Sequence, residues 1–175
     1  MSDTTDRLAE RLDAMLRAHQ ELVDRQRRAQ EQAERERRET ADAFAERVAS
    51  WVRPAFQTAS EVAERYGFSV ASEEALEVSE DPPYIHLALR PASEDGSGWW
   101  FARASLTYEC ELDARQVRVR FTVERGDPDG FPISFSDDAM FAFDDWSDAA
   151  VEEHVTELVA RALGDTVASQ EVLPF

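Results

Sequence analysis

Lysine is missing from this chain altogether, so its 19 basic side chains are all arginine, set against 37 Asp and Glu for a net charge of −18. Such a bias matches high-GC coding or a salty cytoplasm, and either origin weakens functional arguments built on acidity alone. The single cysteine, Cys110, excludes an intramolecular disulfide framework and fits a reducing compartment. Only 6 glycines occur in 175 residues, two of them at Gly126 and Gly130, which leaves little material for a phosphate-cradling loop. No apolar run approaches the roughly 20 residues that span a bilayer. No basic-then-apolar leader opens the chain, and the expected location is cytoplasmic.

Charge is unevenly spread. Residues 1–50 hold 10 Arg and 12 acids, whereas residues 51–175 hold 9 Arg and 25 acids. The second part repels nucleic-acid phosphates and anionic membranes, so neither is an expected partner. Its acidity serves solubility first, and an attraction for a basic protein second.

Residues 3–52 contain neither Gly nor Pro and are rich in Ala, Arg, Glu, Gln and Leu, all good helix formers. Acid-to-Arg pairs recur at i,i+4: Asp3–Arg7, Asp13–Arg17, Glu21–Arg25, Asp24–Arg28, Glu31–Arg35 and Glu34–Arg38. A helix of about 50 residues is roughly 75 Å long. It must project from so small a domain or pair with another chain.

A seam supports pairing. Thr5, Leu8, Leu12, Met15, His19, Leu22, Gln26, Ala29 and Ala33 follow alternating spacings of three and four, the period of a left-handed coiled coil. Leu8, Leu12, Met15, His19 and Leu22 are the candidate oligomerisation residues, with His19 as a register-setting polar residue. A second row, Ala9, Leu16 and Val23, widens the stripe on one flank and hints at more than two helices or another surface. The seam fails at Glu36 and Thr40 and resumes one residue out of step at Ala41, Phe44, Val48 and Trp51. That shift marks a stutter, or a junction where the helix turns from self-pairing to its own domain. The Arg-rich stretch 25–38 is interleaved with Glu and reads as a solvated helix rather than a DNA-binding patch.

Pro54 is expected to break or kink the helix, or to be tolerated in the first turn of a new one, and the chain is expected to divide into a helix at 1–52 and an acidic α+β domain at 53–175. A helix over 54–66 shows an apolar face of Ala55, Ala59, Val62, Ala63 and Tyr66, with Gly67 as its C-terminal cap. The period then changes to two. Strands are expected at 68–72, 75–78 and 84–90, and a hairpin at 99–112 and 115–124 around Asp113 and Ala114. One register makes both hairpin faces sensible: Cys110–Val117, Tyr108–Val119, Leu106–Phe121 and Ala104–Val123 inside, Glu109–Arg118 and Arg103–Glu124 outside. Phe131, Ile133 and Phe135 begin a further strand, and 139–143 another. Ser147 caps a last helix with an apolar stripe of Ala150, Val151, Val155, Leu158, Val159 and Ala162. The expected fold is α+β: a long coiled-coil-like helix, an antiparallel sheet of four to six strands packed on helices, and a C-terminal helix.

No catalytic constellation is recognisable. His19, His86 and His154 lie on different elements without Cys or His neighbours at ligand spacing, so neither a metal site nor a cofactor site is expected. The cluster from Gly126 to Gly130 lacks the acid spacing of a calcium loop. Cys110 falls on the apolar face of a strand, which predicts a buried, unreactive thiol. Of the adjacent acid pairs, Asp144 and Asp145 between Phe143 and Trp146 come closest to an apolar setting.

The sequence therefore reads as a non-enzymatic scaffold or adaptor. Its helix makes a homo-oligomer, and its α+β domain binds another protein. Trp99, Phe101 and Arg103 form the candidate partner patch, large aromatics beside an arginine on the polar sheet face. Cover by residues 44–56 of the same chain is the competing fate of those aromatics. The helix–sheet–helix layout and acidity are also similar to those of secretion chaperones, which implies holding partly unfolded clients on a sheet. Mimicry of nucleic acid by carboxylates is the third reading.

Overall fold

The structure, a computed structural model, describes residues 2–79, 81–91, 102–126 and 132–170. The element order is α1 (Ser2–Arg47), a π-turn (Val48–Val52), α2 (Arg53–Arg65), β1 (Phe68–Ala75), β2 (Tyr84–Pro91), β3 (Ala102–Glu111), β4 (Gln116–Gly126), β5 (Pro132–Ala142), a short 3₁₀ turn (Phe143–Asp145) and α3 (Asp148–Gln170). This is the expected α+β class. Two compact units divide the chain, Met1–Glu39 and Thr40–Phe175.

The boundary between these compact units falls at residue 39. The residues that resume the apolar period are the reason: Ala41, Phe44, Val48 and Val52 are all buried in the core of the second unit. The out-of-step restart is therefore a junction between two uses of one helix. Pro54 does not end that helix. The backbone widens into the π-turn just before it, with the Arg53 N–H donating to the Val48 carbonyl, five residues back. Pro54 then sits in the first turn of α2, the position in a helix where proline is tolerated.

On α2, Phe56, Ala59 and Ala63 are buried, and Ala55 and Val62 are half-buried. Tyr66, expected on the same face, is exposed, because the helix has already ended. The Tyr66 N–H turns to the Ala63 carbonyl at 3.0 Å and the Gly67 N–H to that of Glu64 at 3.1 Å. Gly67 adopts φ +81°, a left-handed cap that favours glycine.

The five strands form an antiparallel meander in the order β1-β2-β3-β4-β5. The β3–β4 register is the expected one, with Cys110 opposite Val117, Glu109 opposite Arg118 and Arg103 opposite Glu124. The turn is wider than expected. Pairing closes at Glu111–Gln116, and residues 112–115 make the turn, with the Arg115 N–H reaching the Leu112 carbonyl and Arg115 at φ +49°.

Two further expectations change. One strand, β1, replaces those at 68–72 and 75–78, and beyond Ala75 the chain leaves the sheet. Similarly, β5 replaces two short strands, and Phe143 belongs to the 3₁₀ turn. Both are edge strands whose apolar alternation is broken by an acid on the helix-side row. Glu74, opposite Ile85, is held by Arg53 at 2.6 Å; Asp137, opposite Phe121, faces Arg161 at 3.8 Å. Charge at a sheet margin discourages edge-to-edge association, and here it also hid the strand from its period.

The core lies between the helix-side face of the sheet and the helices. Ile85, Leu87, Leu89, Leu106, Tyr108, Val117 and Val119 meet Phe44, Phe56, Trp146, Val151 and Leu158. At its centre Tyr108 lies 5.4 Å from Trp146 and 6.1 Å from Phe56, and Phe44 stacks on Trp146 at 5.5 Å. Ser147 caps α3 as expected, its hydroxyl accepting from the Ala150 N–H at 3.3 Å.

Candidate interaction surfaces

Among the described residues two surfaces lie outside the core: the apolar stripe of the first unit and the outer face of the sheet, where Ala88 and Ser105 are nonetheless buried. The stripe is a consequence of helix periodicity. Leu8, Leu12, Met15, Leu16, Leu22 and Val23 are exposed on α1, from 45% for Val23 to 69% for Met15. His19 is exposed among them. Around the stripe the helix is laced with ion pairs: Glu21–Arg25 at 3.7 Å, Asp24–Arg27 at 3.9 Å, Arg27–Glu31 at 3.6 Å and Glu34–Arg38 at 2.5 Å. Arg27 reaches both Asp24 and Glu31, two acids the sequence had matched with Arg28 and Arg35. These pairs support the helix by about 0.2–0.5 kcal/mol each but do nothing to cover the leucines.

The outer sheet face carries the second set of side chains. Arg118 lies between Glu109 at 3.5 Å and Glu111, which it also bonds. Arg120 donates to Asp138 at 2.9 Å, and the Tyr84 hydroxyl donates to Glu73, also at 2.9 Å. Arg103, of the candidate patch, pairs with Glu124 at 3.7 Å. Trp99 and Phe101 lie outside the described residues. Phe44, Trp51 and Phe56, the aromatics of 44–56, pack around Trp146 and Tyr108.

The titratable groups inside the fold are set by burial. Cys110 is fully buried, and its thiol is pushed up to about 12, chiefly by desolvation. Tyr108 is raised by the same cause. On the outer face His86 Nδ1 lies 2.8 Å from the Thr107 hydroxyl, its pKa lowered by burial and by Arg103, against Glu73. His154 reaches the core from α3, with Nδ1 3.2 Å from the Tyr108 hydroxyl and its ring against Phe121 and Phe141. Burial lowers its pKa, against Glu153 and Glu157. His86 and His154 thus sit on opposite sides of the sheet. Among the described residues no group of three or more His, Cys, Asp or Glu is placed to hold a metal ion, and no helix is long and apolar enough to cross a membrane.

Sequence reasoning passed over Arg47. It donates to the Phe143 carbonyl and, at 3.3 Å, to that of Trp146, while its guanidinium lies 4.1 Å from the Phe143 ring centre and 5.1 Å from that of Trp51. It ties α1 to the segment before α3. The available signal was its position: an arginine set between Phe44, Val48 and Trp51 in a run that turns apolar. Comparison of the chain with known protein families, curated proteins and solved structures returned no match.

Proposed function

We infer that this chain is a self-assembling, non-enzymatic scaffold: α1 joins copies of the chain, and the α+β unit binds another protein. The observation that carries the reading is the exposed stripe of Leu8, Leu12, Met15, Leu16, Leu22 and Val23. A row of large apolar side chains at coiled-coil spacing on a helix draws its stability from another helix, at about 1.5–3 kcal/mol per large side chain buried. The partner-binding half rests on the patch composition at Trp99, Phe101 and Arg103, aromatics beside arginine, which protein interfaces favour.

Light scattering tests the assembly half. The protein at tens of micromolar should have the mass of an oligomer, and Leu12→Glu with Leu22→Glu should reduce it to the mass of one chain. A monomeric parent protein would refute the reading. For the second half, purification from native lysate should return one stoichiometric protein partner; a mixture of unfolded clients would favour a holding chaperone instead.

A further inference from the structure

We propose that the occupant of the α1 stripe is a second copy of this chain running parallel to the first and in register with it. The proposal rests on the self-assembly reading and adds direction and alignment to it. Two rows make up the seam. Leu12, His19, Gln26 and Ala33 form one, and Leu8, Met15, Leu22 and Ala29 the other, three residues after or four before their partners. In a parallel pair each row meets its own copy; in an antiparallel pair each row meets the other.

The polar residues are not shared between the rows. His19 and Gln26 both belong to the first, while the second is apolar throughout. Any antiparallel alignment that buries them sets each against Leu8, Met15, Leu22 or Ala29, none of which can return a normal hydrogen bond. A parallel, in-register pair sets Gln26 against Gln26, and an amide carries both donors and an acceptor. It likewise sets His19 against His19, and a neutral imidazole carries one of each.

The flanks agree. One is Ala9, Leu16 and Val23; the other is Arg11, Ala18, Arg25 and Gln32, which holds no acid. Antiparallel neighbours bring like flanks together and set arginine row against arginine row. Parallel neighbours bring unlike flanks together, so Leu16 and Val23 meet Ala18 and the aliphatic stems of Arg11 and Arg25. Because the stripe extends onto that flank, each chain can touch a neighbour on either side.

Cysteine cross-linking tests the alignment. Leu8→Cys and Ala29→Cys are made separately in the full chain, each on the second row. Cys110 stays in place, since it is fully buried with its thiol pushed up to about 12. A disulfide needs the two Cα atoms within about 7 Å, and no antiparallel alignment brings both Leu8 to Leu8 and Ala29 to Ala29. Each variant alone should form a disulfide-linked pair on mild oxidation, seen on a non-reducing gel. Light scattering of the reduced variants is run beside it. Oligomer mass without both self-cross-links overturns the parallel register and leaves self-assembly standing. Monomer mass in the reduced parent protein overturns both.

Discussion

Burial works against the charge of His154. The neutral ring can accept a hydrogen bond from the Tyr108 hydroxyl at Nδ1, and Phe121 and Phe141 offer a cation little compensation for lost water. Its folded pKa is therefore below the ordinary value of about 6.5. His86 is shifted the same way. With the folded value depressed, the unfolded chain binds the proton first as pH falls. Stability should thus hold above about pH 6.5 and decline as pH drops from there through the lowered folded values. Glu153 and Glu157 oppose the burial of His154, so the slope should fall short of one full proton for that residue. Denaturant midpoints measured from about pH 7.5 to about pH 5 should show this decline. His154→Gln should flatten it, and an unchanged slope in that variant would assign the titration elsewhere. None of this was legible in the sequence, where His154 appeared only as an isolated histidine on a helix. Its neighbours come from β3, β4 and β5, and only the folded sheet brings them to α3.

At the scale of elements, the hairpin was the most legible part because its two faces carry opposite chemistry. Sliding β4 by one residue would put Val117 and Val119 outside and Arg118 and Arg120 inside, so only one register satisfies both sets. The edge strands were less legible, since Glu74 and Asp137 interrupt the apolar rows on which the reading depended. The structure also sharpens the expected energetics of the outer face. Arg118 is shared by Glu109 and Glu111, so Glu109→Arg leaves it one acid, whereas Arg118→Glu places three acids together. Arg118→Glu should therefore be the more destabilising single change. Restoring opposite charges in Glu109→Arg with Arg118→Glu should recover part of the loss, with a coupling of about 0.2–1 kcal/mol for partly exposed pairs. A double-mutant cycle by urea denaturation measures it, and a coupling of zero would mean that the pair does not interact across the strands.

For the whole molecule, the boundary between its two units decides which part of the long helix can be spared. The sequence placed it at Pro54, where a proline ordinarily stops a helix; the π-turn removes that obligation. The restart of the apolar period at Ala41 was the better marker, because it records a change of packing partner rather than a change of backbone. A chain beginning at Thr40 keeps Ala41, Phe44, Arg47, Val48 and Val52, and with them the stacking of Phe44 on Trp146 and the bonds from Arg47 to the Phe143 and Trp146 carbonyls. A chain beginning at Arg53 loses all of these. Phe44, Val48 and Val52 alone bury side chains worth about 1.5–3 kcal/mol each. Their combined loss is comparable to the whole stability of a domain of this size, about 5–15 kcal/mol. The 40–175 fragment should therefore unfold cooperatively, with the near-ultraviolet circular dichroism of a packed Trp146, and it should be monomeric because it lacks the seam. The 53–175 fragment should lose the near-ultraviolet signal and the cooperative transition. If 53–175 folded as well as 40–175, the segment from Thr40 to Val52 would be dispensable and the boundary would belong at Pro54 after all.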